Sequence, residues 1–252
     1  MFDHIVRRIL TTLPVMFGVV TITFFLIHLV PGDPVDVMLG EQASSIDKDA
    51  LRKDLGLDQP LTTQYGSYLK NLAQLDLGKS FLNKRTVSSE ISVRVPATFQ
   101  LAFTAIFLAL LIGIPLGVLA AIFHYKWIDN FVSVFALLGM SMPSFWTGPM
   151  MILIFSIYMD ALPVSGRDGL ASLILPSICL GLSLSAILMR MTRASMLEVI
   201  KEDFMRTAVS KGVSNATLYF KHGLRNALMP VITIVGLQFG ALLTGTVITE
   251  TI

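Results

Sequence analysis

Residues 73–80 carry the sequence AQLDLGKS, which fits the loose form of a phosphate-binding loop: a small residue, four variable positions and then Gly-Lys-Ser. In such a loop, backbone N–H groups surround the phosphates of ATP, and the loop joins a buried strand to a helix. Here Ala73 replaces the first glycine, and no apolar strand precedes the motif. We therefore interpret AQLDLGKS as a chance match rather than a nucleotide site.

The remaining reactive side chains show no arrangement typical of an enzyme or a metal site. The sequence contains no HExxH or GxSxG motif and no paired carboxylates within its apolar segments. His28 lacks the second His or the Cys that a metal site would need, and Cys179 is the only cysteine, which excludes an internal disulfide. We predict no catalytic, cofactor-binding or metal-binding residues. A membrane enzyme stays an alternative without support in the sequence.

The composition is that of a membrane protein, because 54% of the residues are hydrophobic, 14% are charged and the mean hydropathy is +0.71. Soluble domains carry about 25% charged residues. Uncharged apolar runs near the roughly 20 residues needed to cross a bilayer occur at Ile9–Val30, Phe99–Phe123, Phe131–Met159, Leu170–Met189 and Ala227–Thr249. We therefore predict an all-α, polytopic fold with these spans.

The positive charges predict the orientation, since Lys and Arg are enriched in cytoplasmic connections. Arg7 and Arg8 place the N-terminus in the cytoplasm. The connection 190–225 then lies on the same side, and it is rich in basic residues: Arg190, Arg193, Lys201, Arg206, Lys211, Lys221 and Arg225. Residues 31–96, which contain AQLDLGKS, lie outside, where ATP is scarce.

The external segment 31–96 is predicted to be an organised insertion rather than a separate domain. Ser45–Leu57 and Leu61–Leu77 each have apolar residues at helical spacing, and Gly56 can end the first helix. The segment has too few apolar residues for a core of its own. We expect two short amphipathic helices at the outer face of the membrane domain.

Residues 139–149, GMSMPSFWTGP, place two prolines and two glycines inside the third span. Broken helices at membrane depth are tolerated where they are buried in protein or line a watery cavity. The polar and aromatic residues at the break are therefore candidates for lining a translocation path: Ser141, Pro143, Ser144, Trp146 and Thr147. A kink that serves only packing is the equal alternative. Other glycines predict close helix contacts: Gly113, Gly117, Gly236, Gly240 and Gly245.

The connection 196–226 is predicted to form two short helices joined at a glycine. Apolar residues recur at four-residue steps at Met196, Ile200, Phe204 and Ala208, Gly212 can end the first helix, and Ser214 can cap the second. Basic amphipathic helices at this position commonly rest on anionic lipid. The pattern also suits docking into a groove on a soluble partner.

Several motifs together resemble the permease subunits of bacterial ABC importers, in the dipeptide, oligopeptide, glutathione and nickel branch. They cover nearly the whole chain: HLVPGDP, LGLDQPLTTQYGSYL, LDLGKS, GMSMPSFW, LPVSGRDG, RMTRASMLEVIKEDFMRTAVSKG, KHGLRNALMPVIT and GLQFGALLTGTVITETI. The family's cytoplasmic signature is Glu-Ala-Ala, three residues, Gly, nine residues and Ile-x-Leu-Pro. With Gly212 as the anchor, Ala208 and Leu224 match it. The remaining signature positions depart from the general form and hold Arg206, Thr207, His222 and Arg225.

The resemblance implies the transmembrane domain of a type I ABC importer over residues 1–252, with a coupling loop at 196–226. Its coupling helix, roughly Lys211–Lys221, would dock onto an ATPase subunit. The implied interface consists of Arg206, Thr207, Ala208, Lys211, Gly212, Val213, Ser214, Leu218, Lys221 and Leu224. The implied partners are a second homologous permease, two ABC ATPases, an external solute-binding protein and the lipid bilayer, with no nucleic acid. ATP and Mg²⁺ would bind to the ATPases and no cofactor to this chain.

The resemblance also implies a location in the bacterial inner membrane and a cargo. The motifs look most like those of dipeptide permeases, so we expect di- or oligopeptides, with glutathione next and nickel as a further alternative. This branch normally has six spans, and the expected sixth would follow Ile252. An ion-coupled secondary transporter is the alternative of a different class, and the scarcity of charged residues within the spans argues against it.

Overall fold

The computed structural model describes residues 2–29, 32–40, 43–80, 85–166 and 169–244. The described part is helical apart from turns and one isolated β-bridge. Its α-helices are α1 (Phe2–Leu29), α2 (Pro34–Leu39), α3 (Ser45–Asp54), α4 (Leu61–Ala73), α5 (Val87–Ile122), α6 (Trp127–Ser141), α7 (Ser144–Met151), α8 (Ala171–Val199), α9 (Asp203–Ser210) and α10 (Leu224–Leu243). Two π-helical segments, Ile152–Tyr158 and Thr217–Gly223, follow α7 and precede α10. The chain divides into two compact units, Met1–Val93 and Arg94–Ile252.

In the first unit, the two helices predicted at Ser45–Leu57 and Leu61–Leu77 are confirmed as α3 and α4, which end earlier, at Asp54 and Ala73. Gly56 has a φ of +66°, a left-handed conformation that suits glycine and ends α3 as predicted. The sequence interpretation missed α2. Asp33 caps the N-terminus of this helix, because its carboxylate accepts a hydrogen bond of 2.9 Å from the Val35 N–H. Arg52 of α3 also binds this carboxylate. The Val35 N–H, with Arg52, lowers the pKa of Asp33.

An aromatic cluster joins α1 to α4 within the first unit. Phe24 is buried, and its ring centroid lies 5.1 Å from that of Tyr65 and 5.5 Å from that of Tyr68. The Tyr65 hydroxyl is 2.7 Å from Thr21 Oγ1, and His28 Nε2 is 3.1 Å from Gln64 Oε1. These contacts hold one side of α1, whereas most of its large apolar side chains are exposed, as expected for a helix in lipid.

The AQLDLGKS segment does not form a phosphate loop in the part that the structure describes. Helix α4, not a strand, precedes it. The Gly78 N–H donates to Asp76 Oδ1 at 2.9 Å, and Lys79 pairs with Thr86 in an isolated antiparallel bridge. The local fold therefore differs from that of a phosphate loop, and the interpretation as a chance match stays a prediction.

The predicted spans agree with the structure. Within the described residues, four helices are long and apolar enough to cross a membrane: Ile5–Leu26, Val87–Ile122, Ala171–Val199 and Thr217–Leu243. A fifth is formed if α6 and the following helix, Phe145–Tyr158, count as one span, and these are bent by 102° at their junction. The predicted break in the third span is therefore confirmed. Residues 245–249 of the predicted last span lie outside the described residues.

Helices α5 and α8 approach each other at glycines. A Cβ atom on Gly117 would lie 2.6 Å from Thr192 Cβ and 2.7 Å from the Met189 carbonyl oxygen. One on Gly113 would lie 2.8 Å from Leu188 Cβ. These two close contacts were predicted. Gly236 and Gly240 have no neighbour within 4 Å of such an atom among the described residues of this chain, so the prediction is not confirmed for them, and Gly245 lies outside the described residues.

The predicted boundaries at the 196–226 connection need correction. Helix α8 continues ten residues past the predicted end of its span at Met189, to Val199. After the turn at Gly212, the chain becomes helical from Asn215 and continues through Thr217–Gly223 into α10 without a break. The predicted second short helix is thus the beginning of the last described span, because no glycine turn or capping residue separates it from Leu224.

Candidate functional site

Helix α9 and the turn after it form a compact surface element whose end is fixed by Gly212. The Val213 N–H donates to the Ala208 carbonyl at 3.2 Å and the Gly212 N–H to the Val209 carbonyl at 2.9 Å. This pair of bonds is a Schellman motif, and it requires the left-handed φ of +75° that Gly212 adopts. Ser214 then begins the next helix through its carbonyl, which accepts from the Leu218 N–H at 2.8 Å. The predicted role of Gly212 is confirmed, whereas the Ser214 hydroxyl donates to Thr217 Oγ1 at 3.1 Å instead of capping a backbone N–H.

Most of the residues predicted to contact an ATPase lie on this surface. The exposed ones are Arg206, Thr207, Lys211, Gly212, Ser214 and Lys221, and the half-buried ones are Ala208, Val213 and Leu224. Leu218 is different, because it is 4% exposed. It lies near Gly223 beneath the surface, so it supports the turn rather than facing a partner.

The apolar face predicted for the first helix is wrong beyond Ile200. Met196 is buried, but Phe204 is 41% exposed and Met205 is buried in its place. The reason is the turn between Val199 and Asp203, which ends α8 and starts α9 as a new helix. Helical periodicity does not continue through such a turn, so Met205 faces inward.

The exposed surface of α9 combines apolar and basic side chains. Val209 is 58% exposed and Phe220, after the turn, 50% exposed. Arg206 is also exposed and makes a 3.5 Å contact with Asp203 on the same helix. Such an exposed ion pair contributes little to stability. The surface therefore offers apolar area and positive charge to a binding partner.

The predicted path residues lie at the junction of α6 and α7. Ser141 Oγ donates to the Leu137 carbonyl at 2.8 Å, and Thr147 Oγ1 donates to the Pro143 carbonyl at 2.9 Å. These bonds satisfy backbone groups next to the break. Pro143 precedes the first residue of α7, Ser144, and Trp146 is exposed.

A cavity of ≈ 200 Å³ lies beside this break. Its lining is mostly apolar and comes from α6, α7 and α8: Phe135, Leu138, Met142, Thr147, Cys179 and Leu182. Thr147 is the predicted path residue that lines it, as far as the described side chains show. The break therefore borders this cavity, and the role of these residues in a translocation path stays a prediction.

A buried ion pair joins α6 to α8, and the sequence interpretation missed it. Asp129, in the first turn of α6, is 3% exposed. Its carboxylate accepts two hydrogen bonds from the Arg193 guanidinium, at 2.6 Å from Nε and 2.8 Å from Nη2. It also accepts from the Tyr125 N–H at 3.0 Å, and His124 Nδ1 lies 3.0 Å away. The available signal was an Asp at the start of one span and an Arg near the end of another on the same predicted side of the membrane.

The comparisons with known proteins cover both units. Residues 113–252 match the family described as "Binding-protein-dependent transport system inner membrane component", and residues 1–102 match its N-terminal companion, "Binding-prot-dependent transport system membrane comp, N-term". The chain is 40% identical over 250 residues to the glutathione transport system permease protein GsiC of Escherichia coli (strain K12), covering 99% of this chain and 82% of the relative. The GsiC of Pectobacterium atrosepticum gives the same identity and coverage.

The family matches, the relatives and the apolar helices agree with one another. They establish a multi-pass protein of the inner membrane with the fold of a type I ABC importer membrane domain. This chain belongs to the binding-protein-dependent transport system inner membrane components, as a permease subunit of the ABC importers for peptides, glutathione and nickel.

Proposed function

We propose that this permease forms part of the translocation path for short peptides in an ATP-driven importer, with glutathione as the first cargo to test. The observation that carries the importer mechanism is the surface of α9 and the Gly212 turn. There, a short helix that ends at Gly212 presents exposed apolar and basic side chains. The relatives at 40% identity are named as glutathione permeases, which supports a peptide-like cargo. Di- and oligopeptides are the wider class, and nickel is the remaining alternative.

The ATPase would dock on α9 and the turn that follows it. Residues from Asn215 onward continue into α10, so α9 is the separate element that a partner can engage. This moves the proposed coupling helix from Lys211–Lys221 to Asp203–Ser210, with Lys211, Gly212 and Ser214 in the adjoining turn. Phe204 and Val209 would supply apolar contacts, and Arg206 a charged one.

The orientation follows from the basic residues near the N-terminus and around α9, which would place both in the cytoplasm. The first unit's α2, α3 and α4 would then face outward, where a solute-binding protein delivers cargo. A second homologous permease would complete the translocation path. The residues of this chain that would line the path are Ser141, Pro143, Ser144, Trp146 and Thr147. Two ATPase subunits would bind ATP and Mg²⁺.

Crosslinking tests the docking surface. Cysteines placed at Val209 and Ser214, in a Cys179→Ser background, should crosslink to the ATPase in membranes, and ATP should change the yield. A cysteine at Leu75, which is 84% exposed and belongs to the proposed outer face, is the control. It should react with a membrane-impermeant maleimide from outside and should not crosslink to the ATPase. Equal crosslinking from Leu75, or none from α9 in an assembled complex, would contradict the proposal.

Uptake into proteoliposomes tests the cargo. The complex with its binding protein should accumulate labelled glutathione only when ATP is supplied on the ATPase side. Competition with a dipeptide, a longer peptide and Ni²⁺ ranks the alternatives. Uptake driven by an ion gradient without ATP would support a secondary transporter instead.

A further inference from the structure

The buried cluster around Asp129 joins α6, which ends at the break in the third span, to α8, which α9 follows in the chain. We propose that Asp129 is a positioning residue that clamps the start of α6 to the end of α8, so that displacement of α9 moves α6. This inference rests on the proposed function, because it assumes that an ATPase displaces α9. Asp129 and Arg193 are neither predicted docking residues nor among the residues that line the cavity.

The geometry is that of a rigid, directional connection. Both oxygens of Asp129 bind one guanidinium, Oδ1 through Nε and Oδ2 through Nη2. Bidentate pairs of this kind fix orientation as well as distance. The Tyr125 N–H, 3.0 Å from Oδ2, and Ser133 Oγ, 3.5 Å from Oδ1, fix the carboxylate from its own side. Neither partner can rotate away without leaving a buried charge unpaired.

The connection stands at the correct place in the chain to transmit movement. Arg193 precedes Val199, the end of α8, by six residues, which is about 9 Å of helix. Helix α9 begins after a short turn, at Asp203. On the other side, α6 runs from the clamp to Ser141, where the third span bends beside the cavity. A continuous helix therefore extends from the clamp to the break on one side and to the turn before α9 on the other.

The neighbouring contact between α8 and α5, at Thr192 and Gly117, is a packing contact rather than a hydrogen-bonded one. Thr192 packs against Gly117, and its hydroxyl is the buried side-chain oxygen without a hydrogen-bond partner among the described residues. This contact has no directed hydrogen bond from Thr192, whereas the adjacent residue, Arg193, makes two to Asp129. At the level of Arg193, the polar bonds of α8 therefore run to α6, whereas the polar contact of α8 with α5, Thr104 Oγ1 to Ser177 Oγ at 2.7 Å, lies sixteen residues before Arg193.

The test uses the whole importer in proteoliposomes and measures cargo taken up per ATP hydrolysed. Asp129→Asn keeps the shape of the side chain but removes its charge. Arg193→Lys keeps the positive charge but removes the paired guanidinium N–H donors that bind both carboxylate oxygens. Both should lower uptake per ATP about tenfold, within the usual range of coupling between sites. Lys126→Gln removes an exposed charge from the same turn and should leave the ratio unchanged.

A distance measurement separates positioning from simple stabilisation. Spin labels at Lys126→Cys and Lys201→Cys, in a Cys179→Ser background, report on the turn before α6 and the turn after α8. The wild-type clamp should keep one narrow distance distribution with and without ATP. In Asp129→Asn the distribution should broaden when ATP is added, which a loss of stability alone would not produce.

The double variant Asp129→Asn/Arg193→Gln covers the case in which a single variant does not assemble, because it leaves no unpaired buried charge. Assembly with low uptake per ATP supports the clamp. Assembly with a wild-type ratio overturns it, as does a wild-type ratio in Asp129→Asn, and failure of both variants to assemble means that the pair is only structural. If the unaltered complex shows no ATP-dependent uptake, the proposed function itself fails.

Discussion

The contact between α5 and α8 predicts that Gly117→Ala destabilises the protein although alanine favours helices. The added Cβ would lie 2.6 Å from Thr192 Cβ and 2.7 Å from the Met189 carbonyl oxygen. Carbon atoms in contact are normally about 3.5–4.0 Å apart, so the helices must separate by about 1 Å at this point. Overpacking of this kind costs about 1–3 kcal/mol. The helix propensity of alanine offsets about 1 kcal/mol, which leaves a net loss of up to about 2 kcal/mol.

Thermal unfolding of the purified permease in detergent measures this loss. Gly236→Ala is the matched control, because it lies in a span and has no neighbour within 4 Å of the added atom in the described structure. It should leave the melting temperature unchanged or raise it slightly, whereas Gly117→Ala should lower it. Adding Thr192→Ala should not restore stability, since the carbonyl of Met189 belongs to the backbone. The reasoning would be refuted if Gly117→Ala were as stable as Gly236→Ala.

Three further predictions concern the turn after α9, the cap of α2 and the aromatic cluster. Gly212→Ala should destabilise the turn by about 1–2 kcal/mol through its left-handed φ, and Gly212→Asn by less; protease sensitivity of the 200–215 segment measures both. Since the pKa of Asp33 is lowered in the folded state, its stabilising effect is present above the ordinary Asp value of 3.8 and is lost as the pH falls through the lower folded value. Exchange protection of the Val35 N–H, corrected for intrinsic rates, should fall in that window and should no longer change there in Asp33→Asn. Phe24→Ala should cost about 3–5 kcal/mol, and Tyr65→Phe about 1 kcal/mol for the bond to Thr21, measured by proteolysis of α4.

Local patterns were sufficient to predict the spans and the starts of the external helices. Ser45 and Leu61 begin α3 and α4 as predicted, because each helix has its own apolar periodicity and an identifiable start. The break in the third span was also predictable, since Pro143 and Pro149 act on the backbone directly.

Features that depend on tertiary structure could not be predicted in the same way. Asp129 and Arg193 are 64 positions apart, and only the packing of α6 on α8 brings them together. The end of α8 was misplaced because hydropathy shows where the apolar part of a helix stops, not where the helix stops. The inward position of Met205 depends on a turn at residues 200–202 that carries no glycine or proline.

The continuity of the helical stretch before and through α10 has a mechanical consequence. Thr217–Leu243 comprises 27 residues, a rod of about 40 Å at the usual rise per residue. A rod of this length converts a tilt of a few degrees at one end into a displacement of a few ångströms at the other. A tilt of the helix beside the Gly212 turn therefore displaces its far end, near Leu243, without any change in the internal structure of the helix.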